Sequence, residues 1–231
     1  MINAEHDRSS TMLPPALRPL LLIPLPLLLM LAPARVHAAS EGYRIDPVHT
    51  RVLFSVSHAG FSQALGTVSG SEGTLQFDPE DWTSARVDVR VPVSRLDLGD
   101  AKWNEATLAR NLLDGKRHPE ARFVSTGIEP IDAQHARIHG ELTLRGVTQP
   151  ATLEVTLNAL KRHPLPPFRR TVGFSATTEL SRAAFGISAW SSMIGDAVQI
   201  RIEAEAVRDR SANEDSLPTP PLPTSPAGSP R

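Results

Sequence analysis

The stretch 136-ARIHGELTLRGVTQPATLEVTL-157 decides the fold. Ile138, Gly140, Leu142 and Leu144 alternate with Arg137, His139, Glu141, Thr143 and Arg145. Beyond Gly146-Val147-Thr148-Gln149-Pro150 the alternation resumes, with Ala151, Leu153, Val155 and Leu157 set against Thr152, Glu154, Thr156 and Asn158. Successive side chains on a strand point to opposite faces, so each run carries one apolar row and one polar row. The Arg-Gly-Val-Thr turn between the runs makes them an antiparallel hairpin. Pro150 lacks a backbone N–H and is expected at the start of the second strand rather than in its middle. A lone hairpin with one apolar face is not stable in water. Other strands must cover it, and what they enclose is the functional question.

The same period recurs on both sides. Upstream, after the Asp46-Pro47 turn signal, Val52, Phe54 and Val56 alternate with Arg51, Ser55 and Ser57. A weaker strand from Ser62 to Gly70 carries Gly66 and Gly70 on one face, and Gly73 to Phe77 completes a second hairpin. Val87, Val89, Val91 and Val93 share one face of the run from Ala85 to Val93. Downstream, Val172, Phe174 and Ala176 form one row, and Val198, Ile200, Ile202, Ala204 and Ala206 form another in a final strand over 196–207. Between these, Ser181 to Trp190 is a non-strand segment. Only Asp97 to Gly115 differs: Trp103, Leu108, Leu112 and Leu113 recur at helical spacing, with Asp100 as the N-cap and Gly115 as the C-terminal stop. That helix is a plug or a gate at one end of the sheet.

Eight or nine antiparallel strands and one short helix define an all-β class: an antiparallel eight-stranded barrel capped by the helix, or a sandwich. Eight strands enclose an interior that side chains just fill, or that holds one small ligand. Small residues on the inward rows (Gly66, Gly70, Gly140, Ala151, Ala176, Ala204, Ala206) and an aromatic content of 5% favour a cavity. A tightly packed sandwich is the alternative.

The ends of the 231-residue chain read differently. Leu20 to Leu31 is an uncharged, Leu-rich run, too short for a membrane span of about 20 residues, and Val36-His37-Ala38 follows it. Residues 1–38 are therefore expected to be a signal peptide cleaved after Ala38, with an uncleaved anchor as the alternative and Met12, rather than Met1, as the expected start. Residues 39–209 form the barrel domain, and 210–231 a disordered, Pro-rich tail. With no cysteine and a net charge of −1, neither a disulfide framework nor nucleic-acid binding is indicated. His135 and His139 share a strand face about 13 Å apart, too far for one metal. There is no Gly-x-Ser-x-Gly, no HExxH and no Gly-rich phosphate loop. No catalytic residue, metal or cofactor is assigned.

Four motifs carry a family resemblance. Tyr43-x-Ile45-Asp46-Pro47-x-His49-Thr50 with Phe54-Ser55-Val56-x-His58-x-Gly60 resembles the opening of the YceI-like family, and Asn111-Leu112-Leu113-Asp114-x-Lys116-x-His118-Pro119-x-Ala121-x-Phe123 its middle. Gly140 to Thr148 resembles its central hairpin; Ser181-Arg182-x-x-Phe185-Gly186-Ile187 with Gly195-Asp196-x-Val198 resembles its C-terminal signature. The resemblance implies a lipocalin-like barrel, periplasmic, holding a polyisoprenoid or fatty-acyl chain in its bore. It also implies frequent homodimers and, in some members, a membrane-protein partner in respiration or stress. The chain departs from the family pattern at Trp103 to Leu108 and at Ala183-Ala184, so polar head-group contacts there are not carried over.

The wall of such a bore is expected from Phe54, Val56, Val89, Val91, Leu142, Leu144, Leu153, Val155, Phe174 and Ile202; each is equally suited to ordinary core packing. His58 continues the inward row as a buried neutral imidazole or a head-group contact. Phe185 and Trp190 close the mouth or pack beneath it. Arg182 pairs with an anionic head group or, better, with a nearby carboxylate.

Overall fold

The computed structural model describes residues 40–213. Eleven strands build the sheet: β1 (Glu41–Ile45), β2 (Arg51–His58), β3 (Ser62–Ser69), β4 (Glu72–Phe77), β5 (Arg86–Pro92), β6 (Leu96–Asp97), β7 (Glu120–Pro130), β8 (His135–Leu144), β9 (Val147–Arg162), β10 (Arg170–Ser181) and β11 (Ile194–Arg208). Several are successive lengths of one bent wall. β1 and β2 both pair with β11, β1 along Ala206 to Arg208 and β2 along Ile194 to Glu203. Their partners β4 and β3 are likewise two parts of one wall, and β5 and β6 two parts of the next. Every pairing is antiparallel. The ring β4-β5-β7-β8-β9-β10-β11-β1 closes through the β1–β4 and β1–β11 ladders, so the fold is a closed eight-stranded antiparallel barrel.

The bends have local causes. Between β1 and β2, Asp46 Oδ1 accepts hydrogen bonds from the backbone N–H groups of Val48 (2.8 Å) and His49 (3.2 Å), which reverses the chain. Between β3 and β4, Gly70 adopts φ 78°, and a Cβ there would run into the Arg95 side chain. Only glycine meets both requirements.

The central hairpin turns on two residues, Arg145 (φ 52°) and Gly146 (φ 77°), both left-handed as a type I′ turn requires. β9 therefore begins at Val147, and Pro150 lies inside it, opposite Glu141, rather than at its start. The position tolerates proline because of register. Counted from the tight turn, Pro150 and Glu141 are a pair whose backbone groups point away from each other. On the other side β9 meets β10 only from Glu154 onward, so no ladder bond is lost.

The helix, α1 (Ala101–Leu108), is shorter than its sequence pattern suggests. Asp100 caps it as expected, accepting from the N–H of Lys102 (3.0 Å) and Trp103 (3.1 Å). It ends when Ala109 turns extended, well before Gly115; Asp114, not Gly115, takes the left-handed conformation that ends the following turns.

The end of the barrel remote from α1 is closed by rings. Tyr43 and Phe77 are fully buried; the Phe77 ring meets those of Trp82 (5.0 Å, 86°) and Phe174 (5.4 Å, 83°) edge to face. Each such pair contributes about 0.5–1.5 kcal/mol beyond area burial. Outside, the strands carry ion pairs such as Arg122 with Asp88, whose hydrogen bond holds the Asp88 carboxyl below its ordinary range. The folded part continues past the expected boundary at Asp209 into a 3-10 turn, Arg210–Asn213, where Ala212 is wholly buried. The expected signal peptide and the rest of the expected tail lie outside the described residues.

Candidate functional site

The inward rows leave a cavity of about 790 Å³. Phe54 and Val56 of β2, Val89 and Val91 of β5, Leu142 and Leu144 of β8, Leu153 and Val155 of β9, Phe174 of β10 and Ile202 of β11 all line it. Register explains where the room comes from. Across three neighbouring strands, Val155, Ala176 and Ile202 stand in one belt of the lining, and the middle member of that belt is an alanine. The glycines behave otherwise. A Cβ at Gly66 would overlap the Phe54 ring, and one at Gly140 the Phe123 ring. These two positions are recesses filled by aromatic rings, so they widen the space in front of the rings rather than leaving voids of their own.

The cavity is asymmetric along its axis. At one end its lining is the ring cluster of buried Phe77 and Trp82 with half-buried Phe174. At the other the lining is exposed: Trp190 is 63% and Trp103 44% accessible. The bore therefore opens beside α1. None of the helix's residues is buried, yet Trp103, Ala106 and Thr107 line the cavity, so α1 is a thin lid resting on the rim and not a plug driven into the barrel.

His58, Arg182, Phe185 and Trp190 all line the cavity near this mouth. His58 is half-buried at the rim, its ring 5.4 Å from that of Trp103 and tilted 47° to it; it is not enclosed. Phe185 and Trp190 take one alternative each: Phe185, 2% exposed, packs beneath the mouth, while Trp190, 63% exposed, stands at it. Arg182 donates its hydrogen bonds to backbone carbonyls rather than to a carboxylate, with Asp196 near enough to feel its charge. Its Nε donates to Gly195 O (2.8 Å), Nη1 to Ile187 O (2.7 Å) and Ala189 O (2.9 Å), and Nη2 to Ile194 O (2.7 Å). A buried guanidinium with four of its five N–H groups on carbonyls is a template around which the loop into β11 is wound. Asp196 anchors the same loop: the Ser181 hydroxyl and the Ala183 N–H hold its carboxyl below the usual range.

Arg145 was missed by strand patterning, which places it simply on the outer row. Its Nη1 donates to Gly186 O (2.9 Å) and its Nη2 to Arg110 O (3.0 Å). It ties the hairpin tip to the loop after α1 and to the segment after β10. Three of the motifs quoted above thus meet at the mouth. The signal was its place at the first position of a type I′ turn, which turns the side chain away from the alternating rows. Trp82, Trp103 and Met193 were also missed as lining because they lie outside strands.

Chemically, the bore is a sleeve of aliphatic and aromatic carbon with polar groups gathered near its rim. Among the described residues no three of His, Cys, Asp and Glu lie close enough to hold a metal ion. A sleeve of this kind solvates a hydrocarbon chain: each buried CH₂ contributes about 0.8 kcal/mol.

A closed eight-stranded barrel with an apolar bore, stoppered by rings at one end and lidded by a short helix at the other, is a lipocalin-like barrel. Residues 43–206 match the YceI-like domain, and the chain belongs to the YceI-like family. It is 32% identical over 152 residues to a UPF0312 protein of Pseudomonas savastanoi pv. phaseolicola, covering 65% of this chain and 78% of that one. In structure it resembles Burkholderia cenocepacia BcnA (TM-score 0.63, 24% identity, 70% of this chain and 98% of that one). It also resembles a polyisoprenoid binding domain from Saccharophagus degradans implicated in plant cell wall breakdown (TM-score 0.54, 11% identity, 74% of this chain and 100% of that one).

Proposed function

We propose that this protein holds a long-chain isoprenoid, or a related amphiphilic lipid, inside the barrel without acting on it chemically, and that it does so after export to the periplasm. The observation that carries the reading is the apolar cavity of about 790 Å³ that opens beside α1. At about 30 Å³ per water-sized group, it has room for roughly 25 such groups, the scale of a prenyl chain of several isoprene units. A chain of about fifteen carbons supplies roughly 12 kcal/mol of gross burial, against about 4–15 kcal/mol for lost freedom of motion. Affinity therefore depends steeply on chain length. The shared barrel of the Saccharophagus polyisoprenoid binding domain supports the ligand class, and the Leu-rich run at Leu20 to Leu31 followed by Val36-His37-Ala38 supports export.

Native mass spectrometry of protein isolated gently from its own host, followed by lipid extraction, tests the reading. A bound species of prenyl-lipid mass is expected, and stripped protein should take up farnesol from solution. A barrel that is empty as isolated and takes up no prenyl alcohol would overturn it. Intact mass of the mature protein, beginning after Ala38, checks the export step.

A further inference from the structure

The rim of the mouth turns large apolar side chains toward water. Phe61, 92% exposed, tips the β2–β3 turn; Trp190 (63%) and Met193 (44%) stand on the loop before β11, and Trp103 (44%) on α1. They belong to one patch. The Ala59 N–H donates to Met193 O at 2.6 Å, Ile194 pairs with His58, and the His58 ring leans on Trp103. The patch is also held rigidly. The N–H groups of Met193 and Ile194 both donate to Trp190 O at 2.8 Å, while Arg182 grips the carbonyls of Ala189 and Ile194 from inside. Trp190 itself has φ 60°, a left-handed conformation that is uncommon for a bulky residue and persists only where its surroundings impose it. The loop is built to display this indole. No Asp, Glu, Lys or Arg occurs in 52–63 or in 183–195.

We propose that this rim docks on the surface of a lipid bilayer, mouth downward, so that a lipid chain passes between membrane and bore without crossing water. The proposal rests on the reading that the bore takes a lipid chain. Three observations select a bilayer over a protein partner or a second copy of this chain. At about 150–250 Å² for a large side chain, the four exposures (92%, 63%, 44% and 44%) sum to at most about 600 Å², short of the roughly 800 Å² per partner of a stable protein interface. Trp103, Trp190 and Met193 also line the cavity mouth, where a protein seated on them would cover the opening. Phe61, Trp190 and Met193, aromatic and sulfur side chains on uncharged loops, suit the headgroup boundary of a membrane, where Trp and Phe sit with their apolar bodies buried; only α1, beside Trp103, brings charges to the patch, Lys102 and Glu105.

The test uses the isolated protein with phosphatidylcholine vesicles, some brominated along the acyl chain, and the variant Phe61→Glu, chosen because Phe61 is not among the residues lining the cavity. The wild type should float with the vesicles and lose tryptophan emission to the bromines. Phe61→Glu should reduce the vesicle-bound fraction at least tenfold while taking up farnesol from solution as the wild type does. Equal flotation of the two proteins, or no flotation of a wild type that takes up farnesol, overturns the docking proposal and leaves the carrier reading standing. Flotation by a wild type that takes up no farnesol supports docking and overturns the carrier reading. A dimer in sedimentation equilibrium that Phe61→Glu splits would identify the patch as a contact between copies and overturn the proposal.

Discussion

Ala176→Phe should convert the bore into one that discriminates by chain length. Ala176 sits half-way along β10, flanked in register by Val155 and Ile202, and its methyl is part of the cavity lining. Phenylalanine adds six carbons there. If it displaces about as many from the ligand, the loss is about 5 kcal/mol at 0.8 kcal/mol per CH₂, or roughly three orders of magnitude in Kd. A short prenyl alcohol that can remain on the mouth side of the belt escapes most of this loss; a longer one cannot. Titrating farnesol, geranylgeraniol and a longer polyprenol into wild type and variant, by calorimetry or tryptophan emission, should show a deficit that grows with length. The empty protein supplies the control. A ring placed in open space causes no overpacking, so the ligand-free Tm should stay within a few degrees. Were the interior solid, the ring would cost about 1–3 kcal/mol and lower Tm by about 2–4 °C for each kcal/mol in a protein of this size. A large fall in Tm together with the same affinity at every chain length would refute both the void and the reasoning built on it.

Arg182→Lys keeps the charge but cannot reach four carbonyls at once, so the loop into β11 should loosen. Amide exchange at Met193 and Ile194 should accelerate by at least tenfold, with a stability loss of about 3 kcal/mol, as for one broken buried charged network. Gly140→Ala forces a methyl into the Phe123 ring and the Val124 carbonyl, and chemical denaturation should report a loss of about 1–3 kcal/mol. Arg44 binds the Asp209 carboxylate and, with Ser211, lowers its pKa to about 2. Because the folded pKa lies below the unfolded value of about 3.9, this contribution is present above pH 4 and is lost as pH falls toward 2. Asp209→Asn should therefore flatten the decline of Tm between pH 4 and pH 2 relative to wild type, and an unchanged slope would show that the contact does not contribute.

The walls of the barrel were legible because strand alternation is a local property with one outcome: if Leu142 faces inward, Thr143 cannot. The same logic places Phe54, Val89, Val155 and Ile202 on the bore without knowledge of which strand neighbours which. What alternation cannot report is the distance across the barrel. Gly66 and Gly140 read as vacant space, yet each receives a phenyl ring from the adjacent strand, and only register reveals it. Pro150 misled for a related reason: whether a proline harms a strand depends on which neighbour its nitrogen faces, and β10 stops short of it. Arg182 shows the limit for charged groups. A lone cation among Ser, Ala and Phe suggests an anionic partner, whereas four backbone carbonyls, invisible in any sequence, satisfy it. The helix was over-extended because Leu112 and Leu113 share a helical spacing with Leu108 while actually facing the bore from the loop beyond.

The seam of the barrel lies between the first strand and the last, since β1 is stitched on one side to β4 and on the other to the final residues of β11. A nascent chain delivers these two pieces at opposite ends of its synthesis. No enclosed container exists until the C-terminal strand arrives, so the barrel cannot close before the last of its strands is available. Deleting Ala206 to Arg208 would unzip that seam without touching a single residue of the cavity lining.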